Sequence, residues 1–384
     1  MERLEELILT DMDWQAQESV LLTLLYWIQS YQSIPITTNI NNKLKAANYF
    51  YVFCAISEAK GMDIKMNVKV NDIEFQSADH VIEEIRNMNV KGGSPFGRSA
   101  AWAIKLACEQ ENLPDNKTVN ARIDDLKKQM TALKPTMATI YNSCHLVEEF
   151  CQSHKECSTD ELKKRIIKLC ENIIRNSFDA VDKLGEYGAN MIKDGSVIMM
   201  HSYSSTLMSI FIAAAAQGKK FTVICTESRP LRESRLAVKY LQELGENVIY
   251  ITDAELYEFM PMADFILMGV DSLACDGSVA NKIGSAMVAK LAKTCKKPVY
   301  FASELYKYDT RTKYGYNIVL ERRTRDEIVC DGDFASYDGL EVINQFFDLT
   351  PASDVTALIC EYGFIHSSNI DVYWQQLADE VSAV

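Results

Sequence analysis

The sequence predicts an α/β protein, with a mostly helical N-terminal domain followed by a doubly wound parallel sheet. Three observations carry that expectation. Apolar residues in the first half recur at helical spacing. In the second half, short apolar runs alternate with helix-length segments, the pattern of βα units whose strands are buried on both faces. The 384 residues, at about 100–200 per domain, make two or three domains rather than one.

Glu5 to Tyr31 carries Leu7, Ile8, Trp14, Val20, Leu21, Leu24, Leu25, Trp27 and Ile28, a broad apolar stripe that predicts a helix. A second helix is expected from Asn42 to Lys60. The run Lys65-Met-Asn-Val-Lys-Val-Asn alternates polar with apolar residues, turns at Asn71-Asp72 and continues as Ile73-Glu-Phe, so a small hairpin is expected there. Further helices follow at Asp79–Met88, Arg98–Gln110, Asn120–Leu133 and Met137–Phe150. A long amphipathic helix runs from Ser158 to Ile192, opened by Ser158-Thr-Asp-Glu, a capping residue followed by first-turn acids. These patterns divide the chain into a helical domain at 1–157, a connecting helix at 158–192 and a sheet-bearing domain at 193–384.

Strands are expected at Val197–Met200, Phe221–Cys225, Asn247–Ile251, Ala263–Met268 and Pro298–Ala302. The intervening helices fall at Ser205–Gln217, Glu233–Leu244, Asp253–Met260 and Asn281–Lys296. In such sheets the ligand lies beyond the carboxyl ends of the strands. That rule selects His201–Ser205, Thr226–Pro230, Gly269–Asp271 and Ser303–Glu304.

Composition narrows the function classes. Hydrophobic residues are 48% and charged residues 24%, proportions that argue against wholesale disorder. Asp and Glu outnumber Lys and Arg by 53 to 40, a formal charge of −13. The chain therefore lacks the basic footprint of a nucleic-acid binder, although a local cluster of donors still suits a small phosphorylated ligand. No signal peptide is read at Met1–Leu7, no apolar run is long enough for a membrane span, and the 11 cysteines contain no CxxC pair. A reducing cytoplasm with free thiols is the expected setting, with no membrane partner.

Several segments carry chemistry. Val90-Lys-Gly-Gly-Ser-Pro-Phe-Gly-Arg is a glycine-rich loop leading into an alanine-rich helix. Its amides, with Lys91 and Arg98, would suit a phosphate, while a tight turn built for close packing is the plain alternative. His201 follows a strand and reads either as an acid or base or as an orienting hydrogen-bond partner. The hydroxyls of Ser202–Thr206 fit a phosphate cradle or a helix cap. Arg229, just past another strand, is placed for bidentate phosphate recognition, with a salt bridge to Glu227 or Glu233 as the alternative. Asp271 ends a buried strand, where a carboxylate is costly unless it is bonded to backbone donors or held for chemistry. Asn281 and Lys282 are read as opening a helix that points to the same sheet edge, and Gly277 as a turn. Cys144, Cys151, His154 and Cys157 invite a zinc reading, but their spacing matches no usual ligand pattern and a helix end with free thiols fits better.

In this order, the segments resemble the family of 5-methylthioribose-1-phosphate isomerase, archaeal ribose-1,5-bisphosphate isomerase and the alpha, beta and delta subunits of translation initiation factor 2B. The resemblance runs from about Ile82 to Ile370. It is carried by Val90-Lys-Gly-Gly, with Lys91 at an arginine position, and by Leu133-Lys-Pro-Thr, Asp194-Gly-Ser-Val-Ile-Met-Met-His, Thr226-Glu-Ser-Arg-Pro and Ile251-Thr-Asp. Gly269-Val-Asp-Ser-Leu, Asp276-Gly-Ser-Val-Ala-Asn-Lys-Ile-Gly, Asn317-Ile-Val-Leu-Glu-Arg-Arg and Phe347-Asp-Leu-Thr-Pro-Ala complete the set.

The resemblance implies a Rossmann-like C-terminal domain, a homodimer and a small phosphorylated sugar as partner, with neither a metal nor an organic cofactor. In the isomerase branch, a cysteine after the histidine and an aspartate at the Asp271 position share acid–base work while an aldose 1-phosphate becomes a ketose 1-phosphate. Here the cysteine position holds Ser202, a far weaker acid than a thiol of pKa about 8.5. The resemblance thus implies Asp271 and Ser202 as the catalytic pair. It also implies Lys91, Gly92, Gly93, Arg98, His201, Arg229, Asn281 and Lys282 as substrate-binding residues. A non-catalytic regulatory subunit that senses a sugar phosphate or nucleotide and binds protein partners is the alternative.

Overall fold

The computed structural model describes residues 72–90 and 92–384, all within one unit that begins at Asn67. The helices expected at Glu5–Tyr31 and Asn42–Lys60, most of the hairpin, and Lys91 lie outside the described residues.

Among the described residues, five helices form the first part: α1 (Ala78–Arg86), α2 (Gly93–Gln110), α3 (Asn116–Leu133), α4 (Ala138–Ser153) and α5 (Thr159–Met191). Their starts are written in the sequence. Ser77 accepts the amide of His80, Asp115 and Thr118 cap each other reciprocally, and Ser158 accepts the amide of Glu161. Helix α2 begins five residues earlier than Arg98, inside the glycine-rich segment. Pro95 is no obstacle there, because first-turn amides have no partner within the helix. The buried stripe of α5 (Leu162, Ile166, Leu169, Ile173, Leu184) first covers α2 and then packs on the sheet-bearing half through α6 (Ser205–Ala216).

The second part is built on a seven-stranded sheet. In chain order its strands are β1 (Val197–Met200), β2 (Thr222–Thr226), β3 (Asn247–Ile251), β4 (Phe265–Gly269), β7 (Val299–Ala302), β11 (Ala357–Cys360) and β12 (Gly363–Ile365). The spatial order is β12-β11-β7-β4-β1-β2-β3, parallel throughout except for the β11–β12 hairpin. Alternation along the strands sends Met199, Ile224, Ile266, Met268, Phe301 and Leu358 to one face, against Val288 and Ala289 of α9 (Ser285–Thr294) and Leu377 of α10 (Ile370–Val381). Ile198, Met200, Val223, Cys225, Phe265 and Leu267 point to the other face, against Leu207 and Phe211 of α6 and Leu241 of α7 (Ser234–Glu243). Both faces are therefore covered by helices, as the continuous apolar runs predict.

Two expected helices differ in the structure. Asn281 and Lys282 do not open a helix; they end β6 (Val279–Lys282), which lies between β5 (Ser272–Leu273) and β10 (Phe347–Thr350) in a small antiparallel sheet. Asn281 stands opposite Asp348, and Lys282 opposite Phe347. The helix starts only at Ser285, after Gly284, where Asp348 accepts the amides of Gly284 (2.7 Å) and Ala286 (3.1 Å). The cap comes from a residue 62 positions away, so local sequence could not reveal it. The segment expected as a helix at Asp253–Met260 is one short α-turn, α8 (Leu256–Phe259), between two 3₁₀ turns. Gly277 is a turn residue, as expected, with φ +84°.

Candidate functional site

Parallel strand order reverses between β1 and β4, which are neighbours with β2 and β7 outside them. The crevice beyond that point is where doubly wound sheets hold ligands. Here the turn after β1 presses directly on the end of β4: a Cβ on Gly269 would lie 2.5 Å from the Ser204 Cβ. A larger residue at 269 would push the two turns apart.

The β1 and β2 turns are tightly bonded to each other. His201 is buried; its Nδ1 lies 2.7 Å from Thr226 Oγ1 and its Nε2 lies 2.8 Å from the Ile283 carbonyl. The carbonyl requires Nε2–H, so in the neutral ring Nδ1 accepts the threonine hydroxyl. Burial holds the imidazole below its usual pKa of 6.5, in keeping with a neutral ring. Both nitrogens are thus committed to positioning the turn. The Ser202 amide donates to Ser228 Oγ at 2.7 Å. Asp253 accepts the amides of Ser228 (2.9 Å) and Arg229 (2.8 Å) and fixes the second turn. Ser202 and Ser228 both adopt left-handed backbone, with φ of +66° and +58°. Within this network the Ser202 hydroxyl makes no hydrogen bond to any described residue.

Asp271 differs. Its amide donates to Ala280, but its carboxylate has no hydrogen-bond partner among the described residues. Although the residue retains some surface, loss of hydration around the carboxylate raises its pKa. The ammonium groups of Lys307 and Lys282 oppose that rise. Lys282 Nζ lies 2.6 Å from Glu233 Oε1 and 3.0 Å from the Phe346 ring centroid, and burial draws its pKa down. The second carboxylate oxygen of Glu233 is buried without a hydrogen bond. Asn281 Nδ2 donates to Ser285 Oγ at 2.9 Å.

Lys307 was not anticipated. Its Nζ donates to the Val270 carbonyl at 2.7 Å, and its Cε would lie 3.1 Å from a Cβ on Gly93. It therefore joins the start of α2 to the strand end that carries Asp271. Gly92 caps α2 with φ +94°, and no hydrogen bond from the amides of Gly93 or Ser94 occurs among the described residues. The one local hint in the sequence is the strand end at Ser303–Glu304, three residues short of this side chain.

Asp271, Lys282, Lys307 and the Gly92–Gly93 turn thus meet at one sheet edge, with the Ser202 turn against β4 beside them. Arg98 lies elsewhere: its Nε donates to Asp72 (2.8 Å), a terminal nitrogen donates to Ser177 Oγ (3.2 Å), and the guanidinium covers the Phe178 ring. Arg229 pairs with neither Glu227 nor Glu233; it donates to the carbonyls of Pro230 and Ile328. Those acids are taken by Arg232 and Lys282. Among the described residues no group of three or more His, Cys, Asp or Glu is arranged to hold a metal. The thiols of Cys144 and Cys151 are each pushed up to about 12 by burial.

The profile of the Initiation factor 2 subunit family matches residues 89–367. Ribose 1,5-bisphosphate isomerase of Thermococcus kodakarensis is 32% identical over 288 residues, covering 74% of this chain and 89% of that protein. Methylthioribose-1-phosphate isomerase of Thermosipho africanus is 29% identical over 306 residues, covering 77% and 88%. Among solved structures, Pyrococcus horikoshii translation initiation factor eIF-2B matches with a TM-score of 0.62 at 27% identity, over 75% of this chain and 96% of that one.

Proposed function

This chain belongs to the Initiation factor 2 subunit family, and from that premise we propose that it is a sugar-phosphate isomerase converting an aldose 1-phosphate to a ketose 1-phosphate. The observation that carries the reading is the Asp271 carboxylate, without a hydrogen bond among the described residues and flanked by the ammonium groups of Lys307 and Lys282. Such a group can hold a proton nearer neutrality than an ordinary aspartate and still be recharged by its neighbours. Asp271 would exchange protons with the sugar. Ser202, in the position of the family's cysteine, would offer a hydrogen bond from its unengaged hydroxyl.

The amides of Gly92 and Gly93, with Lys307, Lys91 and Arg229, would bind phosphate, and Asn281 and Lys282 the sugar hydroxyls. The bonds of His201 favour a role in shaping the Ser202 turn, and the ion pair of Arg98 a role in anchoring α2. We assign the Asp271, Ser202 and Lys282 part of this site to a Rossmann-like domain at 193–384, reached through the connecting helix at 158–192, and the Gly92–Gly93 turn to the helical domain at 1–157. We further propose a homodimer in the cytoplasm. The exposed apolar side chains of Tyr314, Val319, Ile343 and Leu349 support an interface on the sheet-bearing half. Among the described residues no helix is long and apolar enough to cross a membrane.

The test is turnover of ribose 1,5-bisphosphate, methylthioribose 1-phosphate and deoxyribose 1-phosphate by the purified chain. One of the three is expected to be isomerised, with the rate lost in Asp271→Asn. No turnover of any, with ligand affinity unchanged by that substitution, would overturn the enzymatic reading. The regulatory alternative, favoured by the absent thiol at Ser202, would then stand.

A further inference from the structure

One fully buried carboxylate lies outside the chemistry assigned so far. Glu304 follows β7 by two residues and has no exposed surface. Its Oε1 accepts the hydroxyls of Ser94 and, at 3.5 Å, Thr206, and its Oε2 accepts the Ser177 hydroxyl at 3.0 Å. The three donors come from three helices. Ser94 is in the first turn of α2, directly after Gly92-Gly93; Ser177 is in α5; Thr206 is in the first turn of α6, behind the Ser202 turn. Ser177 also accepts a hydrogen bond from Arg98, which links the cluster to the Arg98–Asp72 pair. Three residues on from Glu304, Lys307 abuts Gly93 and bonds to Val270 beside Asp271. The backbone between them is fixed as well, because the Glu361 carboxylate accepts the Leu305 amide at 3.1 Å.

A carboxylate is an acceptor only, and each hydroxyl brings a single proton. The cluster is therefore satisfied with a carboxylate at its centre and frustrated with an amide, whose NH₂ would face hydroxyls already aimed inward. We propose that Glu304 is a positioning residue: by holding Ser94, Ser177 and Thr206 together it locks the Gly92–Ser94 turn to the end of β7, from which Lys307 reaches the strand end beside Asp271, and so sets the affinity for the substrate's phosphate. This rests on the isomerase reading given above. Glu304 itself touches no substrate atom; it acts through the turn and through Lys307.

Three measurements on the full chain test it: KM and kcat for the sugar phosphate that is turned over, affinity for inorganic phosphate, and thermal midpoint. Glu304→Gln is expected to raise KM and the phosphate dissociation constant about 10-fold with kcat within about 3-fold, the signature of lost uniform binding. Ser94→Ala should raise both by a similar factor. The double variant should do little more than either alone, since both act through one contact. A lowered midpoint with KM and phosphate affinity unchanged would reduce Glu304 to a structural residue and overturn the proposal. So would effects of the two substitutions that simply multiply. Should the wild-type chain bind phosphate but isomerise nothing, the isomerase reading fails alone, and the phosphate titrations still decide the role of Glu304.

Discussion

The paired turns after β1 and β2 and the turn after β4 satisfy their polar groups in opposite ways. After β1 and β2, His201 spends both ring nitrogens on protein partners, Asp253 accepts two backbone amides, and Thr226, Ser228 and Ser234 hydroxyls link one to the next. After β4, the Asp271 carboxylate has lost hydration and has no hydrogen-bond partner among the described residues. Folding tolerates such a group only where something else selects it, because a desolvated carboxylate without hydrogen bonds costs stability. The paired turns are a scaffold and the turn after β4 carries the group available for proton transfer. That contrast is the physical content of the proposed site.

The largest expected effect breaks the second side of the contrast. Asp271→Asn should lower turnover by about 10²–10⁴-fold, the usual worth of a positioned acid or base, while leaving the thermal midpoint at neutral pH unchanged or higher. The sign follows from linkage. A carboxylate whose pKa is raised on folding contributes stability at pH values below its ordinary 3.8, and that contribution is lost as pH rises through the folded value. Wild type should therefore lose stability relative to the variant as pH increases, measured by thermal melts across an acid-to-neutral series.

Ser202→Cys sharpens the same comparison from the other turn. The residue keeps its left-handed backbone and its bond to Ser228, and gains a thiol whose ordinary pKa lies near 8.5. A rise in kcat of about 10-fold or more is expected, read from initial rates on the accepted sugar phosphate. No gain would mean that the pocket has been turned to binding alone.

Asp253→Ala attacks the scaffold side. It strands the amides of Ser228 and Arg229 and should cost about 1–3 kcal/mol by chemical denaturation, since hydrogen bonds to charged acceptors carry that weight. Its effect on kcat should be smaller than that of Asp271→Asn, because the turn is displaced while the reacting group remains. A signal confined to the pH dependence is expected from Glu361, whose carboxyl is pushed up to about 8 by burial. Wild type should lose stability as pH rises from 4.5 towards 8, and Glu361→Gln should flatten that slope in the same melts.

Much of this was legible locally. Val197–Met200 and Asn247–Ile251 are strands at the bounds their apolar runs predict, and Ser158 caps the long helix as its sequence indicates. Asp271 stood out because a charged residue ending a buried strand demands an explanation. What stayed hidden depends on residues far apart in the chain. Lys282 reads as a helix start until β10, 65 positions on, pairs with it and Asp348 caps the following turn. The hairpin of β11 and β12 rests on three- and four-residue runs too short to separate from loop. Lys307 joins the site only because its side chain crosses to Gly93 and Val270, and the internal bonding of His201 and Arg98 depends on partners no spacing rule supplies.

The most direct measurement is the ionisation of the Asp271 carboxyl itself, followed by infrared difference spectra of wild type against Asp271→Asn through a pH titration. A protonated-carboxyl band is expected to persist above the ordinary aspartate value of 3.8 and to shift when a sugar phosphate is added. A band that vanishes at or below that value, indifferent to ligand, would contradict the proposed role of Asp271.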